Sequence, residues 1–177
     1  MWLITGAQAS GKSTVADLLA RQFSRGVHVR GGQFYRWAVR GWVHFDDEDR
    51  AEARRLLDLR YRLSALVANE YATAGFTVIV QDNIYGDDVV RWIDRIQSDP
   101  VHLVVLRPSV EVIERRHEQR RQVSGKVAYR PSYAAARNDD ELAMTPADLG
   151  LWLDTSDQEP GETVQEIFAR SAEAVVR

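Results

Sequence analysis

The feature that most constrains this chain is a glycine-rich stretch at 6–13 that fits the pattern G-x-x-x-x-G-K-S. It follows an apolar run at 1–5, predicted to be a buried strand, and opens an amphipathic run at 12–23, predicted to be a helix. Glycines permit backbone conformations and close approaches that a Cβ would block. Amides in such a loop, at the start of a helix, converge on an anion. The chain is therefore expected to fold with a strand, an anion-binding loop and a helix in direct succession.

This loop predicts a site for the phosphates of a nucleoside triphosphate. Lys12 would supply a cation to the β- and γ-phosphates, and Ser13 would offer its hydroxyl to Mg²⁺. Lys12 and Lys126 are the two lysines of the sequence, so a lysine at this position weighs against a mere glycine-rich turn. The nucleotide-binding residues expected in the loop are Gly6, Ala7, Gln8, Ala9, Ser10, Gly11, Lys12, Ser13 and Thr14.

Apolar runs alternate with amphipathic ones along the whole chain. Strands are expected at 1–5, 27–30, 76–81, 101–106 and 151–154, and helices at 12–23, 34–40, 48–74, 87–98, 109–121 and 162–176. The residues of the long helix expected to face inward are Leu56, Leu59, Leu63, Leu66, Val67 and Tyr71. Five apolar strands separated by helices predict an α/β fold of three layers. Its centre would be a five-stranded parallel sheet with helices on both faces, in a single domain at 1–177.

Composition and charge exclude several classes of function. The chain has 177 residues, 45% of them hydrophobic, which is enough to bury a core. A net charge of −3 provides no basic field for nucleic acid or an anionic membrane, and no apolar run is long enough to span a bilayer. The absence of cysteine excludes disulfides and thiolate sites. We expect a cytoplasmic protein with nucleotide and small-molecule partners, while the oligomeric state stays open.

A carboxylate follows the third predicted strand. The apolar, β-branched run at 76–81 ends at Asp82. Because the carboxyl ends of parallel strands face the ligand crevice in open α/β sheets, Asp82 would lie near the loop. It is therefore predicted to hold Mg²⁺ together with Ser13, directly or through water. The alternative is that Asp82 caps the turn that follows the strand.

These residues resemble the P-loop kinases, and within them the chloramphenicol phosphotransferase-like small-molecule kinases. The resemblance covers nearly the whole chain and rests on the segments 6–13, 29–34, 80–83, 104–108 and 150–156, together with Arg116 and Arg120. It implies an ATP-dependent phosphotransferase that moves the γ-phosphate to a small-molecule acceptor, with natural products and antibiotics among the candidate acceptors. ATP and Mg²⁺ are the substrate and metal that it implies.

The resemblance also implies roles for individual residues. Asp82 would be the Walker-B-like carboxylate and, with Lys12, Arg116 and Arg120, would form the catalytic set. Thr155 would lie near the adenine, within the segment 155–160. The spacing of Arg116 and Arg120 independently places both on one helical face, and planar guanidinium groups suit the charge of a phosphoryl group in transfer. The alternative is a solvated basic face.

One position departs from the family pattern. Relatives carry an aspartate shortly after the second strand as a base for the acceptor hydroxyl, and Gly32 stands at the aligned position. Three explanations remain open. Asp46 or Asp47 serves instead, the acceptor is already anionic and needs no base, or the protein binds nucleotide without efficient chemistry. Phosphoryl transfer depends mainly on positioning and electrostatics, so loss of a base need not abolish it.

The segment at 31–47 is expected to form the acceptor side, because it is both aromatic and basic and lies between the second strand and the long helix. Flat apolar rings and nearby guanidinium groups would fit a ring-bearing acceptor with an anionic or polar handle. The acceptor-binding residues predicted here are Gln33, Phe34, Arg36, Trp37 and Arg40. The alternative is that the aromatic side chains cover the core and the arginines are solvated.

Two further hypotheses compete with a small-molecule kinase. A nucleotide-binding regulatory module with weak or lost catalysis would account for Gly32. A polynucleotide-end kinase would use the arginines and aromatics, although the acidic charge balance opposes it. The long polar segment at 122–149 is predicted to be a lid over the nucleotide, since irregular connections of this length tend to be functional.

Overall fold

The computed structural model describes the residues 1–43, 49–124 and 135–177. The strands are β1 Trp2–Gly6, β2 Gly26–Arg30, β3 Thr77–Gln81, β4 His102–Leu106 and β5 Leu151–Leu153. The helices are α1 Lys12–Ala20, α2 Gly32–Arg36, α3 Arg50–Thr73, α4 Asp87–Ile93, α5 Val110–Ser124, α6 Ala135–Ala143 and α7 Pro160–Ala169. Within these described ranges, no helix combines the length and apolar character needed to cross a membrane.

The five strands form one parallel sheet in the order β2-β3-β1-β4-β5. This confirms the predicted α/β fold with its five-stranded parallel sheet. The first strand lies at the centre, between β3 and β4, so the glycine-rich loop leaves the middle of the carboxyl edge. Crevices at this edge are where ligands bind in open α/β sheets.

The pleat of the sheet divides the core between its two faces. Alternate residues such as Leu3, Val80 and Val105 pack in one cluster with residues of α3 and α4. Their neighbours Ile4 and Ile79 pack in a second cluster with residues of α1 and α7. Strand side chains alternate between faces with a period of two, so the helices cover both faces, as the sequence predicted.

The inward face of α3 differs from the one predicted. Leu66 is 56% exposed and Tyr71 is 41% exposed, so their predicted inward positions are wrong. The buried positions are Ala53, Leu56, Tyr61, Ser64, Ala65, Ala68 and Asn69. Small side chains bring the helix close to the sheet, and the buried polar ones are satisfied. The Ser64 hydroxyl, for example, accepts a hydrogen bond from the indole N–H of Trp92 (2.9 Å).

Several helices end earlier than the periodicity predicted. The second helix ends at Arg36 rather than at the predicted residue 40. The last helix begins with Pro160 inside a capping box formed by Glu159 and Glu162, and ends at Ala169. The chain then turns back to the sheet, where the Val176 amide donates to the Val101 carbonyl (2.9 Å). Apolar spacing alone does not mark these ends.

The polar segment at 122–149 contains a helix that was not predicted, α6. Leu142 in this helix is fully buried and packs in the cluster on the α3 side of the sheet. Thr145, which follows it, is also buried and accepts a hydrogen bond from the Gly86 amide (2.8 Å). The carboxyl-terminal part of the segment is thus anchored to the core, and the lid role of the whole stays a prediction.

Candidate functional site

The glycine-rich loop is shaped by three residues with positive φ angles: Gly6 (142°), Ala9 (65°) and Gly11 (98°). A Cβ on Gly6 would collide with the Leu106 carbonyl oxygen of β4, so only glycine fits where the loop leaves β1. One turn within the loop is closed by the Ser10 amide, which donates to the Ala7 carbonyl (3.2 Å). The loop then enters α1, whose first amides have no partners inside the helix.

Lys12 is the first residue of α1, and its side chain points back into the loop with only 5% of the residue exposed. Its ammonium group donates to the carbonyl oxygens of Gly6 (2.7 Å) and Ala7 (2.6 Å). The cation and the positive end of the α1 dipole therefore lie on the same small concave surface. Such a surface attracts a polyanion such as a phosphate chain.

A cleft of about 490 Å³ opens beside the loop, between α1, α5 and the start of α7. Its lining includes Gly11, Thr14, Arg116, Thr155, Pro160 and Thr163. The structure thus brings together Thr14, Arg116 and Thr155, which the sequence assigned to nucleotide binding from three distant segments. Their binding roles stay predictions.

Arg116 joins the loop to the far wall of the cleft. Its guanidinium donates to the Ser10 carbonyl (3.4 Å) and to the Thr155 carbonyl (3.0 Å). Burial, and then the charge of Arg115, lower the pKa of the Arg116 guanidinium from its ordinary value. The hydroxyls of Ser10 and Thr155 are buried without hydrogen-bond partners. Buried polar groups of this kind are costly unless a ligand or water satisfies them.

The structure describes the backbone of Arg120 within α5 but not its side chain. Its expected place over the phosphates therefore stays a prediction.

At the end of β3, the Ser13 hydroxyl donates to the side-chain oxygen of Gln81 (3.0 Å). Gln81 also faces the ring of His28 on β2. Burial, followed by the charge of Arg30, lowers the pKa of His28 to about 4, so the ring is neutral at pH 7. The residue of this strand that contacts Ser13 is thus Gln81, whereas the metal-ligand role predicted for Asp82 stays a prediction.

Asp82 is fully buried and forms a two-point ion pair with Arg60 of α3. One carboxylate oxygen accepts from Arg60 Nε (3.1 Å), and the other accepts from Arg60 Nη2 and from the Asn83 amide (2.7 Å). The Arg60 guanidinium also lies over the ring of Tyr35, 5.3 Å from its centre. A Cβ on Gly31 would overlap this carboxylate. The pair therefore lies beneath the start of the acceptor-side segment.

The predicted acceptor-side residues are divided between surface and core. Gln33, Arg36 and Arg40 are exposed, and Trp37 is 67% exposed. Phe34 is instead 8% exposed, packs in the α3-side core and makes an edge contact with Trp37 (ring centres 5.2 Å apart). Phe34 therefore covers the core, as the alternative interpretation of this segment expected.

The space around Gly32, where the resemblance implied an aspartate, is open. A Cβ on Gly32 would meet nothing closer than a Tyr35 ring carbon at 3.9 Å. The two substitutes considered for the missing base, Asp46 and Asp47, lie outside the described residues, as do Lys126 and Arg130.

The side-chain oxygen atoms near Ser13 are suitable ligands for a hard cation such as Mg²⁺, which takes oxygen ligands and keeps several waters. The Ser13 hydroxyl and the Gln81 amide oxygen are both of this type. Among the described residues, no group of three or more His, Cys, Asp or Glu side chains forms a metal cage. The residues present fit a metal that is held mainly by phosphate oxygens and water.

Sequence reasoning missed two residues of this site, Gln81 and Arg60. A signal for Gln81 was present, because adjacent strand residues face opposite sides and only one of Gln81 and Asp82 can face α1. The sequence indicated Arg60 more weakly. It lies four residues after the buried Leu56, and therefore on the same helical face, but the helix contains many other arginines.

Comparison with known protein families finds a matching family model for most of the chain. The family model described as "AAA domain" matches residues 1–139. No curated protein matches the chain significantly.

Solved structures of small-molecule kinases share the fold. A sugar kinase from Janibacter sp. HTCC2649 has a TM-score of 0.66 at 17% identity, covering 98% of this chain and 94% of its own. A shikimate kinase from Bacteroides thetaiotaomicron has a TM-score of 0.62 at 14% identity, covering 97% of each chain. An APS kinase from Mycobacterium tuberculosis, in complex with AMPPNP and APS, has a TM-score of 0.60 at 19% identity, covering 95% of each chain.

Proposed function

The chain belongs to the AAA domain family, and from that premise we propose that it is an ATP-dependent phosphotransferase. It would move the γ-phosphate of ATP to a small-molecule acceptor. The kinase fold of its structural neighbours supports this reaction class. The resemblance to chloramphenicol phosphotransferase-like kinases stays a prediction, and natural products therefore belong among the acceptors to be tested.

The observation that carries the proposal is the buried Lys12 ammonium, held by a glycine-rich loop whose residues Ser10 and Gly11 line the cleft. This ammonium donates to the neutral carbonyl oxygens of Gly6 and Ala7. A triphosphate offers charged oxygens, which make shorter and stronger hydrogen bonds. The nucleoside would then lie in the cleft toward Thr155 and Pro160.

In the transfer step, the acceptor oxygen forms a bond to the γ-phosphorus while the bond to the bridging oxygen of ADP breaks. ADP leaves with the electron pair, and the proton of a hydroxyl acceptor goes to solvent. Lys12 and Arg116 would stabilise the charge on the transferring and leaving oxygens, because electrostatic stabilisation supplies most of this catalysis. Both cations are held by carbonyl groups of the loop, which orients them in advance.

Mg²⁺, when bound, would neutralise charge on the β- and γ-phosphates. Ser13 and the carboxyl-end residues of β3 are the groups that would hold it. The acceptor would approach from the 31–43 side, where Trp37, Arg36 and Arg40 are exposed.

The test is transfer of radiolabel from γ-labelled ATP to a panel of nucleosides, nucleotides, sugars and natural-product antibiotics. Wild type is compared with Lys12→Ala under identical conditions. We expect a labelled product that requires Lys12. If wild type binds ATP but labels no member of the panel, the transferase proposal is contradicted.

A second candidate function is a nucleotide-binding regulatory module, and the observation that favours it is the missing carboxylate at Gly32. The open space at this position lets a side chain enter without a clash. The discriminating experiment is therefore Gly32→Asp. Activity that occurs only in this variant would favour the regulatory module, and appreciable turnover by wild type would eliminate it.

A further inference from the structure

Strand β3 assigns its last residues to opposite faces of the sheet. Val78 and Val80 pack in the cluster on the α3 side, and Ile79 packs in the cluster with α1. The ladder continues past the strand, because the Asp82 amide donates to the Ile4 carbonyl (3.2 Å). The period of two therefore directs residue 81 toward α1 and residue 82 toward α3.

The side-chain contacts agree with this division. The Gln81 amide oxygen accepts from the Ser13 hydroxyl of α1 (3.0 Å), whereas Asp82 pairs with Arg60 of α3. Ser13 is the loop residue predicted to ligate the metal. Of Gln81 and Asp82, the residue with a hydrogen bond to Ser13 is Gln81.

Both oxygens of the Asp82 carboxylate already accept hydrogen bonds. It is fully buried, and its partners are the Arg60 guanidinium and the Asn83 amide. Withdrawing it to bind a metal would leave the Arg60 cation, which is itself 86% buried, without its counter-ion. Such uncompensated buried charges are strongly unfavourable.

We propose that Gln81, the last residue of β3, rather than Asp82 joins Ser13 in holding the metal that accompanies the nucleotide. Asp82 and Arg60 instead form a buried charge pair that supports the acceptor-side segment from below. This inference rests on the proposed phosphotransferase function. It deepens that function by assigning a neutral amide to a position where the sequence suggested a carboxylate.

A neutral ligand pair has a measurable consequence. Without a carboxylate, the protein alone should bind divalent cations weakly, and the cation should arrive together with the triphosphate. The contribution of Gln81 to metal binding can then be measured as the factor by which Mg²⁺ raises the affinity for ATP. We call this factor the metal gain.

The experiment measures ATP affinity by calorimetry with saturating Mg²⁺ and with EDTA. The variants are Gln81→Ala, Gln81→Glu, Ser13→Ala as a positive control, and the charge-free pair Asp82→Asn/Arg60→Gln. We expect Gln81→Ala and Ser13→Ala each to reduce the metal gain about tenfold, a typical loss for groups that support a metal site. The Asp82/Arg60 variant should keep the wild-type gain within about twofold, since metal affinity would not depend on it.

Gln81→Glu provides an independent measurement. A carboxylate next to Ser13 should let the protein bind Mn²⁺ without nucleotide, measured by the loss of the free-ion signal in electron paramagnetic resonance. An unchanged metal gain in Gln81→Ala would overturn the inference, whether or not the Asp82 variant folds. A wild type that binds no ATP at all would overturn the proposed function and the inference with it.

Discussion

Gly31 and Gly32 are adjacent, yet a methyl group should have opposite effects at the two positions. Gly31 has a helical backbone (φ −57°, ψ −37°), so alanine is conformationally allowed there. Its Cβ would nevertheless overlap the Asp82 carboxylate and lie only 2.9 Å from the Asp82 Cβ. At Gly32 the nearest atom is 3.9 Å away. Gly32→Ala is therefore a matched control for Gly31→Ala.

The expected magnitude follows from what must move. Asp82 cannot swing aside without breaking its ion pair with Arg60, and this pair is buried. Overpacking typically costs about 1–3 kcal/mol, and breaking a buried pair costs about 3–5 kcal/mol. Because partial relaxation is available, we expect Gly31→Ala to lower the free energy of unfolding by about 2–4 kcal/mol. Gly32→Ala should be neutral or stabilising by about 0.4–1 kcal/mol, because it restricts the unfolded chain.

Urea denaturation followed by circular dichroism measures both free energies of unfolding. A further arm places Gly31→Ala in an Asp82→Ala background, where the two changes should be non-additive by about 1–3 kcal/mol, because the carboxylate atoms that overlap most are removed and only the 2.9 Å contact with Cβ remains. Equal stabilities for Gly31→Ala and wild type would refute the reasoning. So would a Gly32→Ala variant that loses as much stability as Gly31→Ala.

Three further predictions concern the loop, the cleft and pH. In calorimetry, Lys12→Ala should weaken ATP binding about 10- to 100-fold, the effect of losing charge-assisted hydrogen bonds. Lys126→Ala should lower ATP affinity less than Lys12→Ala does, and an equal loss in the two variants would contradict the role of the loop. Arg116→Ala should lower ATP affinity about tenfold, while the exposed neighbour substitution Arg115→Ala stays near wild type; equal losses would contradict the role of the bridging guanidinium. His28 has its pKa lowered to about 4, mainly by burial. Its neutral form therefore contributes stability that is fully present above pH 6.5 and is lost as pH falls toward 4. Between pH 7 and 5 the wild type should lose about 1–2 kcal/mol more than His28→Gln in urea denaturation, and parallel curves would contradict this origin.

The strand, loop and helix at the start of the chain were predictable because each depends on local chemistry. Gly6 and Gly11 carry two of the three positive φ angles of the loop, and Lys12 begins α1 as its motif requires. The sheet was predictable for a similar reason, since five apolar runs between helices leave few alternatives. Strand order and the cleft between distant segments depend on tertiary packing, which no local pattern encodes.

The errors arose where side-chain direction decides the outcome. In α3, hydrophobicity favoured Leu66 and Tyr71 for the inward face, but the sheet takes the small Ala65 and Ala68 instead. A close approach between helix and sheet selects for size as well as polarity. The metal role of Asp82 stays a prediction, but side-chain direction matters there too, because the residue that contacts Ser13 is Gln81.

The most direct test of the central claim is a calorimetric titration of the wild-type protein with ATP, ADP and AMP in Mg²⁺. If the loop around Lys12 holds the outer phosphates, affinity should be high for ATP and ADP and lower by about 100-fold or more for AMP, which lacks the groups that this loop binds. Equal affinities for the three nucleotides would contradict the account, because they would show that the nucleoside alone is recognised.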